Sequence, residues 1–347
     1  MDYKKVVNSL AQPTVVDPAV IEPYKYIRKL ASNNNNVRSR FINAFNETFF
    51  HITDQEVLQL INEVIEILHN ASLLIDDVED SSNFRRGYPS AHMKYGVPLT
   101  INCGNLMYFE AIEKVYNLWR LKLGKEDTTL ATLALVWEIV MPEMKNFHKG
   151  QGLDIYWRDN LPDLESLPSV VDYCQMAKDK TGGLFRLAVR LLRLFSSGST
   201  HLDSEYNGVF ESIANCLGVI YQIRDDYLNI VDERYSHMKG IRGEDLIEGK
   251  LSFPILVSLT KDFNQKHTEI SSLSPLYELL YNHRSTEERL RRRDLHDQAI
   301  EQLESPDIVS ETNRLLQELK AQACRLIMEN ARDANPLMIM VDTLCTI

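Results

Sequence analysis

Two short acidic runs are the residues of this 347-residue chain best suited to chemistry: Asp76-Asp77-Val78-Glu79-Asp80 and Asp225-Asp226-Tyr227-Leu228-Asn229. Asp76 and Asp80 are four apart, so on a helix they stand one above the other on one face, with Asp77 beside them. The turn before them, Ala71-Ser72-Leu73-Leu74-Ile75, is almost wholly apolar. Like charges stacked at the end of an apolar helix destabilise it unless something positive binds there. One such cluster could equally be an exposed acidic turn. The second interrupts another apolar helical stretch, Leu217-Gly218-Val219-Ile220-Tyr221-Gln222-Ile223, and surface decoration does not explain the pair. Facing each other across a cavity, the clusters could hold several Mg²⁺ ions, each keeping some waters and binding phosphate oxygens of a substrate. Carboxylates without nearby His or Cys favour Mg²⁺ over zinc.

Basic residues supply the anion-binding side. Arg85-Arg86 follow the first cluster, Lys180 precedes Thr181-Gly182-Gly183, and Lys239 and Lys250 follow the second cluster. Planar guanidinium groups suit phosphate. Any one of these cations is ordinarily just solvated; the ordered set points to a phosphate-bearing substrate.

The elements that must position these groups read as helices almost throughout. Val57, Leu60, Ile61, Val64, Ile65, Ile67 and Leu68 follow i, i+3, i+4, i+7 spacing, and the stripe runs on to Ile75. Further helices are expected at about 101–120, 128–150, 168–197, 205–231, 251–261, 272–304 and 306–331. Alternating strand-like runs are nearly absent, so the fold is expected to be all-α. Turn chemistry separates the helices at Asn33 to Asn36, Arg86-Gly87-Tyr88-Pro89, Gly96-Val97-Pro98, Ser196-Ser197-Gly198 and Lys239-Gly240. Residues 1–22 are expected to form a loose arm and 23–347 a single domain. The Arg- and Glu-rich segment 284–304 reads as a solvated helix face.

Bulk properties narrow the class further. An apolar fraction of 44% and a charged fraction of 25% are ordinary for a globular chain. The net charge of −11 argues against a nucleic-acid surface but not against a small anion held by local cations. Five scattered cysteines without CxxC spacing read as free thiols. No apolar run reaches the roughly 18 residues a membrane span needs, and Cys345 is one position short of a prenylation box. A soluble cytoplasmic protein is the expectation.

At this level of detail the sequence resembles the trans-prenyltransferases, and within them the eukaryotic, fungal-type geranylgeranyl diphosphate synthases. The stretches that carry the resemblance are Leu68-His69-Asn70-Ala71-Ser72-Leu73-Leu74-Ile75-Asp76-Asp77, Phe84-Arg85-Arg86-Gly87, and Gly150-Gln151-Gly152-Leu153-Asp154-Ile155-Tyr156-Trp157-Arg158-Asp159. Lys180-Thr181-Gly182-Gly183-Leu184-Phe185, Tyr221-Gln222-Ile223-Arg224-Asp225-Asp226-Tyr227 and Glu248-Gly249-Lys250-Leu251-Ser252-Phe253-Pro254 extend it. It covers roughly residues 23–260 in unbroken order.

The resemblance implies a large bundle of antiparallel helices around a deep cavity, usually dimeric. It implies up to three Mg²⁺ ions: two on Asp76 and Asp80, a third on Asp225, with Asp77 and Asp226 supporting. Arg85, Lys180, Gln222, Lys239 and Lys250 would grip the allylic diphosphate, and Arg38, His69 and Arg86 the isopentenyl diphosphate. Lys180, Thr181 and Gln222 would be the catalytic set, with the oxygens of Thr181 and Gln222 facing the developing allylic cation. Such a reaction needs its leaving group neutralised and water kept from the cation. The small Ala71 and Ser72 would leave a tunnel open past the C15 stage, and Tyr108, Phe109 and His148 would floor it at C20.

Besides a loop about two residues longer before Arg38 and one extra residue between Lys239 and Lys250, the sequence departs from the family pattern at two residues. Asn35 stands where the family carries a lysine at the isopentenyl site, with Arg28 or Lys29 near enough in sequence to substitute, and Asn229 ends the second cluster in place of aspartate. Two other readings stay open at this stage: a class I terpene cyclase, and a catalytically weak partner subunit of another synthase, motivated by Asn35.

Overall fold

A computed structural model describes residues 3–12, 17–30, 37–122, 130–196, 204–234, 240–266 and 274–346. The longest apolar stripe of the sequence forms α4 (Gln55–Glu79), started by Asp54, whose carboxylate accepts from the backbone N–H groups of Glu56 and Val57. Val57, Ile61, Val64, Ile65, Leu68, Ala71 and Leu74 of this helix are buried. Before it come α1 (Tyr3–Ser9), α2 (Glu22–Lys29) and α3 (Val37–Phe45); α1 is exposed wherever its side chains are described.

After α4 the chain makes a two-stranded hairpin, Phe84–Arg85 with Tyr88–Pro89, where the sequence suggested only a loop. Then follow α5 (Ala91–Tyr95), α6 (Val97–Lys122), α7 (Leu130–Asn160), α8 (Val170–Lys180), α9 (Gly182–Phe195) and α10 (Ser204–Val231). The C-terminal part contributes α11 (Glu244–Glu248), α12 (Phe253–Lys266), α13 (Pro275–Asn282), α14 (Thr286–Arg291), α15 (Arg293–Leu303), α16 (Pro306–Asn330) and α17 (Asn335–Cys345). The all-α reading holds: the hairpin is the only sheet among the described residues. Helix α4 packs on α6 and α9, and α10 packs on α9 and α16, around one continuous apolar core. No described helix is long and apolar enough to cross a membrane.

Two helix expectations need correction. The stretch 168–197 is broken at Thr181, which closes α8 and precedes Gly182-Gly183. The stretch 272–304 is three helices rather than one. Ser285 and Glu288 form a reciprocal capping box that starts α14 afresh, and Arg292 leaves helical geometry before α15. In both cases local capping and backbone chemistry prevailed over an apolar period that looked continuous. Helix α7 in turn runs ten residues past its expected end at 150, to Asn160.

Candidate active site

The first acidic cluster occupies the last turn of α4 and the residue that caps it, Asp80. Because successive helical residues point about 100° apart, the three aspartates separate. Asp76 and Asp80 line a cavity of about 230 Å³. Asp77 faces the interior, is fully buried, and accepts a 2.7 Å hydrogen bond from Nε of Arg85 on the hairpin. Nη2 of Arg85 reaches Asp76 at 3.0 Å. The turn residue Arg86 has a left-handed φ of 56°, lines the same cavity, and donates to the Leu30 carbonyl at 3.0 Å.

Helix α10 brings up the other acidic cluster. Tyr221, Gln222, Asp225 and Asn229, at i, i+1, i+4 and i+8, line the cavity. Asp226 points into the core and is an anchor rather than a cavity group. It accepts from the Tyr173 hydroxyl at 2.5 Å, the Phe253 backbone N–H at 2.9 Å and the Gln222 amide at 2.7 Å. Asp77 and Asp226, expected among the metal groups, therefore do not line the cavity, while Asp76, Asp80 and Asp225 do. Asn229 has a job of its own: its side-chain oxygen accepts from the Asp245 backbone N–H at 3.2 Å, holding the start of α11.

Three residues that sequence reasoning left without roles hold the wall in place, Gln151 from within it and Asp154 and Arg158 through the lining residues they pair with. Gln151, Asp154 and Arg158 recur at i, i+3 and i+7 on α7, a spacing that would have found them. Gln151 bridges Asp76 and Glu79 at 3.1 and 2.8 Å. Asp154 pairs with the Lys180 ammonium at 2.5 Å, and Arg158 pairs with Asp80 at 2.5 Å. Helices α7 and α8 approach closely at Gly150, where a Cβ would lie 2.3 Å from the Lys180 backbone nitrogen. Only glycine fits there, and Lys180 is held over the cavity as a result. Thr181, next in sequence, donates its hydroxyl to the Gln222 side-chain oxygen.

Basic groups share the cavity wall with the aspartates. Lys250 lies 3.5 Å from both Asp226 and Asp245, and Arg38, His69 and Arg86 line the cavity together. Asn35 and Lys239 lie outside the described residues. Burial, then the charges of Arg38 and Arg86, hold the His69 pKa well below the usual histidine value, so His69 is neutral at pH 7. The unfolded chain, with a histidine pKa of about 6.5, binds the proton that the folded protein refuses. The His69 contribution to stability is therefore present above about pH 6.5 and is lost progressively as pH falls below it. His69→Gln should flatten the fall in melting temperature between pH 7.5 and 5.5; parallel curves for the two proteins would count against this.

A smaller apolar cavity continues from the first and shares Phe147 and Leu184 with it. Leu68 and Tyr108 line this extension. Leu68 lies eight residues before Asp76, about 12 Å along α4. Of the residues expected to shape the tunnel, Ser72 faces the main cavity and Tyr108 the extension, while Ala71 is buried and lines neither. His148 packs on Tyr108 from outside, with ring centroids 5.5 Å apart. Phe109 departs from the expectation: it is 69% exposed, one residue round the helix from Tyr108, and lines neither cavity. Phe147, not singled out from the sequence, is the aromatic that lines both spaces.

The donor set around Asp76 and Asp80 suits a hard cation. It is all oxygen, and burial followed by the charge of Asp76 pushes the Asp80 carboxyl up to about 7, so a bound cation would favour the state with both ionised. Among the described residues no three ligand-type side chains converge to enclose an ion unaided. An ion held here would complete its shell with water and substrate oxygens, the habit of Mg²⁺.

A family model described as polyprenyl synthetase matches residues 18–280, three-quarters of the chain and every cavity-lining group named above. The chain belongs to the polyprenyl synthetase family. It is 41% identical over 259 residues to a geranylgeranyl pyrophosphate synthase of Rhodocybe pseudopiperita, covering 75% of this chain and 69% of that protein. It is 37% identical over 321 residues to one from Macrophomina phaseolina, covering 92% and 86%. A third, from Mucor circinelloides, is 38% identical over 257 residues, covering 74% and 75%.

Proposed function

We propose that this protein is a Mg²⁺-dependent geranylgeranyl diphosphate synthase, extending shorter allylic diphosphates with isopentenyl diphosphate to the C20 product. The observation that carries the reading is one cavity with carboxylates of both acidic clusters and a ring of cations at one end, and an apolar extension at the other. Mg²⁺ held by Asp76, Asp80 and Asp225 would neutralise charge growing on the departing diphosphate. Lys180, Lys250 and Arg85 add fixed positive charge at the same end, and Lys239 joins this set in the proposal. The paired oxygens of Thr181 and Gln222 stabilise the allylic cation left behind. Arg38, His69 and Arg86 hold the diphosphate of isopentenyl diphosphate, with Asn35 at the edge of that site. Leu73, Phe147 and Leu184 wall the hydrocarbon off from water, which would otherwise quench the cation. The proton lost after bond formation goes to the released diphosphate.

A homodimer, action in the cytoplasm, and residues 23–347 working as one unit belong to the same reading. The test is incubation of the purified protein with labelled isopentenyl diphosphate and Mg²⁺, in separate reactions primed with dimethylallyl diphosphate and with farnesyl diphosphate, with chain length measured after hydrolysis. C20 diphosphate is expected. A C15 end product refutes the length assignment. A hydrocarbon made without isopentenyl diphosphate supports a cyclase, and stimulation of another synthase without turnover supports a partner subunit.

A further inference from the structure

Arg289 lies in the charge-rich segment whose composition suggests a solvated face, yet it is only 6% exposed. All three arms of its guanidinium donate to main-chain carbonyls: Nε to Ile247 at 2.7 Å, Nη2 to Glu248 at 2.7 Å and Nη1 to His283 at 2.9 Å. Burying a guanidinium is costly unless its donors are met, and here two of them close the C-terminal end of α11. The next residue, Gly249, has a φ of +80°, and a Cβ there would sit 2.8 Å from the Arg289 guanidinium carbon. The seat is shaped for both residues. Lys250 follows, its backbone N–H bonded to the Asp245 carbonyl at 2.9 Å and its ammonium in the cavity. At the other end of the same turn, the Asp245 N–H is held by Asn229.

The short segment that carries Asp245, Glu248 and Lys250 to the cavity is thus clamped at both ends, by Asn229 from α10 and by Arg289 from α14. Arg289 lies beyond the residues matched by the family model. We propose that Arg289 is a positioning residue for the diphosphate site, setting the Lys250 ammonium through the backbone of residues 247–249. This rests on the reading of Lys250 as a diphosphate-binding cation.

The test is a double-mutant cycle between Arg289→Lys and Lys250→Met, read as affinity for the unreactive thiolo analogue of farnesyl diphosphate with Mg²⁺, by calorimetry. Lysine keeps the charge but cannot bridge three carbonyls. Arg289→Lys should weaken binding roughly 5- to 10-fold in the native background and less than about 2-fold when Lys250 is already methionine. Arg289→Gln, which keeps one amide donor, is measured alongside, with melting temperatures for all variants. Equal losses in the two backgrounds, a lower melting temperature with unchanged affinity, or failure of both Arg289 variants to fold makes the residue a stabiliser only and overturns the proposal. Unchanged binding by Lys250→Met alone sinks instead the reading of Lys250, and with it the route assigned to Arg289.

Discussion

Asp80→Asn is expected to lower kcat roughly 10²- to 10³-fold, the usual loss when one preorganised charge-stabilising group is removed, while leaving the metal-free protein at least as stable as wild type. The two effects part because the group is useful only when cations are bound. In the metal-free fold, burial and the neighbouring charge of Asp76 push the Asp80 carboxyl up to about 7, so the folded state disfavours its ionised form. A carboxyl raised in this way loses stability for the fold as pH climbs from about 4 to about 7, because the unfolded chain releases the proton sooner. Asparagine has no proton to lose, and its oxygen can still accept from Arg158, which lies 2.5 Å from Asp80. Steady-state turnover of labelled isopentenyl diphosphate gives the first effect, and melting curves at pH 5 and pH 8 without Mg²⁺ give the second. Activity within threefold of wild type, or a metal-free variant that melts well below it, would contradict the assignment of Asp80.

Product length is the second large effect, and it should divide neighbouring aromatics sharply. Phe147→Ala removes the ring shared by the main cavity and its extension, and Tyr108→Ala removes the ring that lines the extension 6.4 Å away, centroid to centroid. Either change should move the main product from C20 to C25 or longer. Phe109→Ala should leave C20 unchanged, because that ring is turned out of both spaces. Truncating a large core side chain can cost about 3–5 kcal/mol, so chain lengths are compared on folded protein freed of aggregate. A lengthened product from Phe109→Ala, or an unchanged one from Phe147→Ala, would move the floor elsewhere.

Much of the site was legible because its chemistry is local. Clustered aspartates at i, i+4 and cations beside glycine pairs have few uses other than a metal-bridged phosphate, and each can be recognised within a single turn. Charge-dense helices were harder to read. Segment 284–304 looks uniformly solvated by composition, and most of its charges are exposed or half-buried; Arg289 differs only because the backbone of α11 arrives from forty residues away. Gln151, Asp154 and Arg158 lie within a recognisable stretch, but nothing short of α7 lying against α4 and α8 says which acid or base each one meets.

The sequence by itself determined the all-α class, the two acidic clusters and the cations that accompany them. Helical period and side-chain charge are properties of short segments, and they survive without tertiary context. Tertiary structure decided which aspartates face the cavity. In each cluster one carboxylate turns inward as an anchor, Asp77 for Arg85 and Asp226 for Tyr173 and the Phe253 backbone. It also decided that Phe147 lines both cavities where Phe109 lines neither. The reason is geometric: residues one apart on a helix point about 100° apart, and only the packing partners of that helix determine which direction is cavity, core or solvent.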